Sequence, residues 1–185
     1  MSGRVFVVQA VASGPDGYPY DEIVDIAVCS VDPSAGDFDT VYSGAISYEP
    51  RRLGKRKLDY LEEVAGICAG DLYGGDPEAE VAGEVMKTIS GGSIACFDAR
   101  QEFGRYMTCD PWDITMRAEV MPSVSSRLPV SLKPRDPSDE PMAIRKAYSK
   151  LLPHDPACVG RGRRAVHLAQ MTSQILIDLR ARGKY

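Results

Sequence analysis

An α/β fold is predicted by three observations. Three apolar segments rich in β-branched residues fall within the first fifty residues, which reads as an antiparallel meander. Helical and strand-like segments alternate after them. The clearest helix lies near the end of the sequence, with one apolar face repeating at intervals of three and four.

The elements follow in order. Residues 5–11 read as a buried first strand, stopped by the turn cluster Ala12-Ser13-Gly14-Pro15-Asp16-Gly17. Residues 22–31 read as a second strand ending at Asp32-Pro33, and 41–48 as a third, with Asp37 and Asp39 in the hairpin turn between them. A basic run, 51–57, precedes a helix over 58–68 with Leu58, Leu61, Val64 and Ala65 on one face. Asp76-Pro77-Glu78 reads as an Asp N-cap, a Pro at the first helical position and early acids, opening a second helix with Val81, Val85 and Ile89 on its stripe. Gly91-Gly92 stops it. A short strand over 93–97, a helix over 99–107 and a fifth strand over 112–116 come next, with Trp112 and Tyr106 expected in the core. Prolines 122, 129, 134, 137 and 141 make 122–141 a loop. A helix over 142–152, a Gly/Pro loop and a last helix over about 164–182 complete the order. In that last helix Ala165, Leu168, Ala169, Thr172, Ile175, Leu176 and Leu179 form one face.

Composition is that of a soluble globular protein: 185 residues, 44% hydrophobic, 26% charged, net charge −4. One domain over 1–185 is expected, carrying the Pro-rich loop at about 122–141. No apolar run is long enough to span a bilayer and no secretory signal is seen, so no membrane partner and a cytoplasmic location are expected. The mild acidity argues against a strongly electrostatic nucleic-acid binder. Five widely spaced cysteines, with only His154 and His167 to join them, do not make a zinc site, and Cys29 and Cys96 fall in strand-like runs expected to be buried.

The element order and several local segments resemble the DnaQ-like (DEDD, RNase T) 3′–5′ exonuclease superfamily. The strand Val5-Phe6-Val7-Val8 followed by Gln9-Ala10-Val11-Ala12-Ser13-Gly14 resembles its first motif, and the segment 20–28 its second strand. Segments 64–72, 91–95 and 112–116 resemble its Gly-Ile turn, the approach to its second motif and a further strand. Ala165, Ala169 and Thr172 fit the frame of its third motif. The resemblance implies a ribonuclease H-like mixed five-stranded sheet flanked by helices. It also implies four carboxylates holding two Mg or Mn ions, with a His or Tyr as general base.

Carried over residue by residue, that chemistry is missing. The first Asp falls on Gln9 and the first Glu on Val11. The second-motif Asp falls on Gln101 in the best frame, with Asp98 or Glu102 as alternatives. The third-motif Asp falls on Leu168 and the base on Arg163, which cannot accept a proton near neutral pH. The expectation is a pseudoenzyme without catalytic residues, bound metal or other cofactor. The alternative is an active metal-dependent exonuclease with carboxylates relocated to the neighbourhood of Asp16, Asp21 and Asp25, the last two placed on one face of a strand by their spacing. His167 is adjacent to Leu168 in sequence, yet on the far side of the helix if Leu168 is buried. For a non-catalytic role, Arg161, Arg163 and Arg164 are the phosphate-binding candidates for a single-stranded nucleic acid, with 51–57 extending the track. A protein partner or a homodimer, docking through 122–141, is the other class of role.

Overall fold

The computed structural model describes residues 4–154 and 162–185. Five strands form one sheet in the order β3-β2-β1-β4-β5: β1 Val5–Ala12, β2 Ile23–Asp32, β3 Asp37–Ala45, β4 Ser93–Ala95 and β5 Glu119–Val120. β1 and β3 each pair antiparallel with β2, while β4 pairs parallel with both β1 and β5. The helices are α1 Pro50–Ala65, α2 Glu78–Ile89, α3 Ala99–Gln101, α4 Glu140–Leu151 and α5 Ala165–Ala181. This is the mixed five-stranded α/β architecture of the ribonuclease H-like fold.

Both faces of the sheet are covered, so the central strands are apolar on both sides. Alternation along β1 sends Val5, Val7 and Val11 to one face, where they pack with Leu168, Ala169 and Leu176 of α5. It sends Phe6 and Val8 to the other, with Val81, Val85 and Ile89 of α2. Trp112 and Tyr106 belong to this second layer. Cys29 and Cys96 are buried, Cys68 and Cys109 exposed.

Several expectations are corrected. Asp37 and Asp39 are in β3, because the turn is made by the four residues 33–36 and both acids face solvent. The basic run does not precede α1 but forms its first half; Gly54, at φ 76°, breaks the helix inside the run. Asp76 is no cap. Its backbone bridges to Ile46 and donates to the Ala45 carbonyl, so α2 starts after Pro77 without a side-chain cap. The helix expected over 99–107 is one short turn, α3, that widens into a π-helical turn over Glu102–Tyr106. The fifth strand is not 112–116: Ile114–Met116 is a 3-10 turn, and two residues further on β5 pairs with β4. The Pro-rich loop carries three 3-10 turns, at Val124–Arg127, Val130–Leu132 and Pro137–Asp139, and Val124 and Leu132 are core residues. It is therefore packed against the body of the fold, and α4 begins at Glu140.

Candidate functional site

The site begins where the sheet splits. β4 ends at Ala95, opposite Val7, and β1 runs on paired with β2 only. The Ala10 N–H has no strand to donate to on that side, and a carboxylate takes it: Glu102 Oε2 accepts at 3.2 Å. Gln9 and Val11 point to the α5 side of the same stretch. A cavity of about 40 Å³ lies against them, lined by Gln9, Val11, Gln101, Glu102, Glu140 and Leu168 among others. Four of the five family positions therefore converge: Gln9, Val11, Gln101 and Leu168. The fifth, Arg163, lines an adjoining hollow of about 540 Å³ that shares Tyr60, Val64 and Pro141 with the cavity. Its guanidinium donates to the Glu63 carbonyl at 2.5 Å.

Gln9 is fully buried, and neither amide atom has a partner of hydrogen-bond geometry. The Glu140 carboxyl lies close enough for the amide to lower its pKa, but this is the weakest of the influences on Glu140. Burial pushes Glu102 up to about 8, the Ala10 N–H working against the rise and the Asp98 charge adding to it. Burial likewise raises Glu140 well above the carboxylate range, reinforced by Glu102 and Asp98. Glu140 also accepts the Asp98 N–H at 3.1 Å. The Asp98 side chain is committed to its own turn, accepting from the N–H groups of Arg100 and Gln101. Burial thus favours the uncharged form of both glutamates, and their hydrogen bonds tie α4 to the α3 turn and that turn to the end of β1.

Sequence reasoning weighed Glu102 as an alternative and missed Glu140. The only signal was a Glu-Pro pair at a helix start, which also fits an ordinary solvent-facing first-turn acid.

The acids proposed for a relocated site are apart. Asp25 lies opposite Val11 in register, and its Oδ2 accepts the Ala165 N–H at 2.9 Å, closing the start of α5 from a neighbouring strand. Burial raises it to about 6, against the pull of that N–H and of Arg164. Asp21 precedes β2, so the shared strand face expected for it and Asp25 does not exist. Asp21 instead accepts the Asp16 N–H at 2.7 Å and stands 3.5 Å from Lys57 Nζ. A Cβ at position 14 would come within 2.4 Å of the Asp21 carboxylate, so only glycine fits beside it. Lys57 also bridges Glu22 at 2.7 Å and donates to the Tyr20 carbonyl. His167 is half-buried, with its Nδ1 unpartnered. Of the phosphate-binding candidates, Arg164 is bound to Asp71 at 3.0 Å, and Arg161 lies outside the described residues.

No family model matches the sequence, and no curated protein matches it. Solved structures do. A 3′-exonuclease described in 3′-end-specific recognition of the histone mRNA stem-loop superposes with a TM-score of 0.60 at 15% identity, over 98% of this chain and 83% of that one. The nuclease domain of 3′hExo, a DEDDh family member bound to rAMP, gives 0.56 at 15% identity, over 98% and 94%. E. coli Exonuclease I in complex with a dT13 oligonucleotide gives 0.63 at 11% identity, over 97% of this chain and 41% of that one. The chain therefore has the fold of the DnaQ-like 3′-exonucleases.

That fold implies a pair of divalent metal ions, and the donors at the corresponding place do not fit them. Hard cations want several anionic oxygens. Here the positions offer two neutral amides, Gln9 and Gln101, and two hydrocarbon side chains, Val11 and Leu168, beside two buried glutamates that each accept a backbone N–H. Among the described residues no group of three His, Cys, Asp or Glu is placed to hold a metal.

Proposed function

We propose that this chain is, over its whole length, a catalytically degenerate DnaQ-like 3′–5′ exonuclease domain that binds single-stranded nucleic acid without hydrolysing it. One observation carries the reading: Gln9, Val11 and Leu168 meet at the base of the cleft, where two-metal hydrolysis requires carboxylates. Val11 and Leu168 are core residues there, and a charge put in their place would be desolvated. Retained strand binding draws support from the solved neighbours, whose descriptions name an RNA stem-loop and a DNA oligonucleotide. It also draws support from the length of the cleft, which continues past Tyr60 into a hollow of about 860 Å³ where exposed Tyr20 and Arg56 stand beside the acid-paired Lys55 and Lys57. The protein-interaction reading rests on a different surface: Val130 and Met142 are 85% and 72% exposed.

End-labelled single-stranded DNA and RNA, incubated with Mg²⁺ or Mn²⁺ and with chelator as control, test the proposal. The expected outcome is no 3′ trimming, together with retardation of the strands that weakens as salt rises. Trimming that disappears in Glu102→Gln or Asp21→Asn would establish a relocated active site and end the degenerate reading. A concentration-dependent mass with no strand retention would favour the interaction module.

A further inference from the structure

A second hollow, of about 210 Å³, opens beside the degenerate cleft and shares Gln101 and Glu140 with it. Arg100 from α3, Arg105 from the π-helical turn and Arg135 from the Pro-rich segment line it. Three arginines from two stretches of chain, the continuous α3–π turn and the Pro-rich segment, line one concavity. We propose that this hollow is an oxyanion site that takes a phosphate or pyrophosphate group.

The cations are available. Among the described residues no carboxylate lies within ion-pair distance of Arg100, Arg105 or Arg135, and the one hydrogen bond among their guanidiniums runs from Arg105 Nη1 to the Pro15 carbonyl at 2.8 Å. Lys55, Lys57 and Arg164, by contrast, are each engaged by an acid.

The acids that line the same hollow are committed elsewhere. Asp98 accepts the Arg100 and Gln101 N–H groups, and Asp136 accepts the Ser138 N–H and hydroxyl. Glu140 is buried against Glu102 and Asp98, and that burial favours its uncharged form. Three positive charges therefore face two carboxylates already bonded to donors. The 860 Å³ hollow has the opposite balance, with Asp16, Asp21, Asp59 and Glu63 against Lys55, Arg56 and Lys57. Guanidinium is the group best shaped for forked bonds to phosphate oxygens. Ligand pockets that enclose a whole drug-sized molecule start at about 300 Å³, so this hollow suits the phosphate group and leaves any attached sugar and base outside.

The test is calorimetric titration of the full chain with inorganic pyrophosphate at low ionic strength, free of divalent metals, near pH 6.5. One saturable site is expected. Arg135→Ala is predicted to weaken it by about tenfold or more, and Arg135→Lys to restore only part of the loss, because the ammonium lacks the fork. Arg56→Ala, on the other hollow, is the control and should leave affinity unchanged. Arg135 and Arg56 are both exposed, so neither change threatens folding. Absence of a saturable site, or an equal loss in Arg56→Ala, would overturn the proposal. The site does not depend on strand binding: pyrophosphate binding without strand retention would keep it and remove the strand-binding reading, and the reverse result would do the opposite.

Discussion

The base of the cleft and its rim use the same residue types in opposite ways. At the base, Glu102 and Glu140 are buried without a cation, burial raises both, and each accepts a backbone N–H. At the rim, Asp21 and Glu22 share Lys57, which is a quarter exposed, and the trio pins the β1–β2 loop to α1. The base holds its acids by backbone N–H groups; the rim holds its acids by a lysine, with Asp21 4% exposed and Glu22 open to solvent. A carboxylate's place in a cleft therefore does not reveal its job. What decides is whether a cation or water is there to keep it charged.

Putting charge back into the base should have the largest effect. Leu168 is 1% exposed, and Leu168→Asp would restore the family acid where hydrocarbon now packs. Burying that charge among Val7, Val11 and Ala169 should cost about 3–5 kcal/mol, a fall in melting temperature on the order of 10 °C. A thermal scan reads it, and a variant as stable as the parent would mean that the base is wet and open.

Next comes the pH dependence of Glu102. Its folded pKa, about 8, is above the ordinary 4.5, so the folded state holds the proton more tightly. Its contribution to stability is full below about pH 4.5 and is lost as pH rises through 8. Urea titrations between pH 5 and 8.5 should show stability falling by a few kcal/mol at most, and Glu102→Gln should flatten that slope. An unchanged slope would show that Glu102 is ionised and solvated.

The smallest effect belongs to the rim. Lys57→Ala should cost about 1–2 kcal/mol, because the Glu22 pair is open to solvent and Asp21 keeps the Asp16 N–H, and the Glu22 part of that cost should shrink in high salt. A large, salt-insensitive loss would make the rim resemble the base and erase the contrast.

The sequence shows the layered sheet well, because strands buried on both faces, such as 5–11 and 22–31, leave unbroken apolar runs, and α5 leaves a regular stripe. The proposed loss of the carboxylates is legible there too, because Gln9, Val11 and Leu168 differ by letter from the family frame. The sequence conceals the second buried acid. Glu140 reads as one more acid at a helix start, and only the packing of α4 onto the α3 turn makes it a buried partner of the Asp98 N–H. The fifth strand was misplaced for a related reason. Two exposed residues, Glu119 and Val120, carry no apolar pattern, while 112–116 does because Trp112 and Ile114 fill the α2-side layer.

The break at Gly54 changes what the cationic stretch 51–57 can be. Four of its residues precede or make the break, and three follow it in a helix whose angular phase has been reset. Arg51 and Arg52 lie on one segment, Arg56 and Lys57 on the other, with Lys57 already drawn into the rim. A polyanion lying along α1 would meet two separate footholds, with no continuous rail between them. The salt slope of such a contact would count two or three phosphates, well short of the number of basic letters in the run.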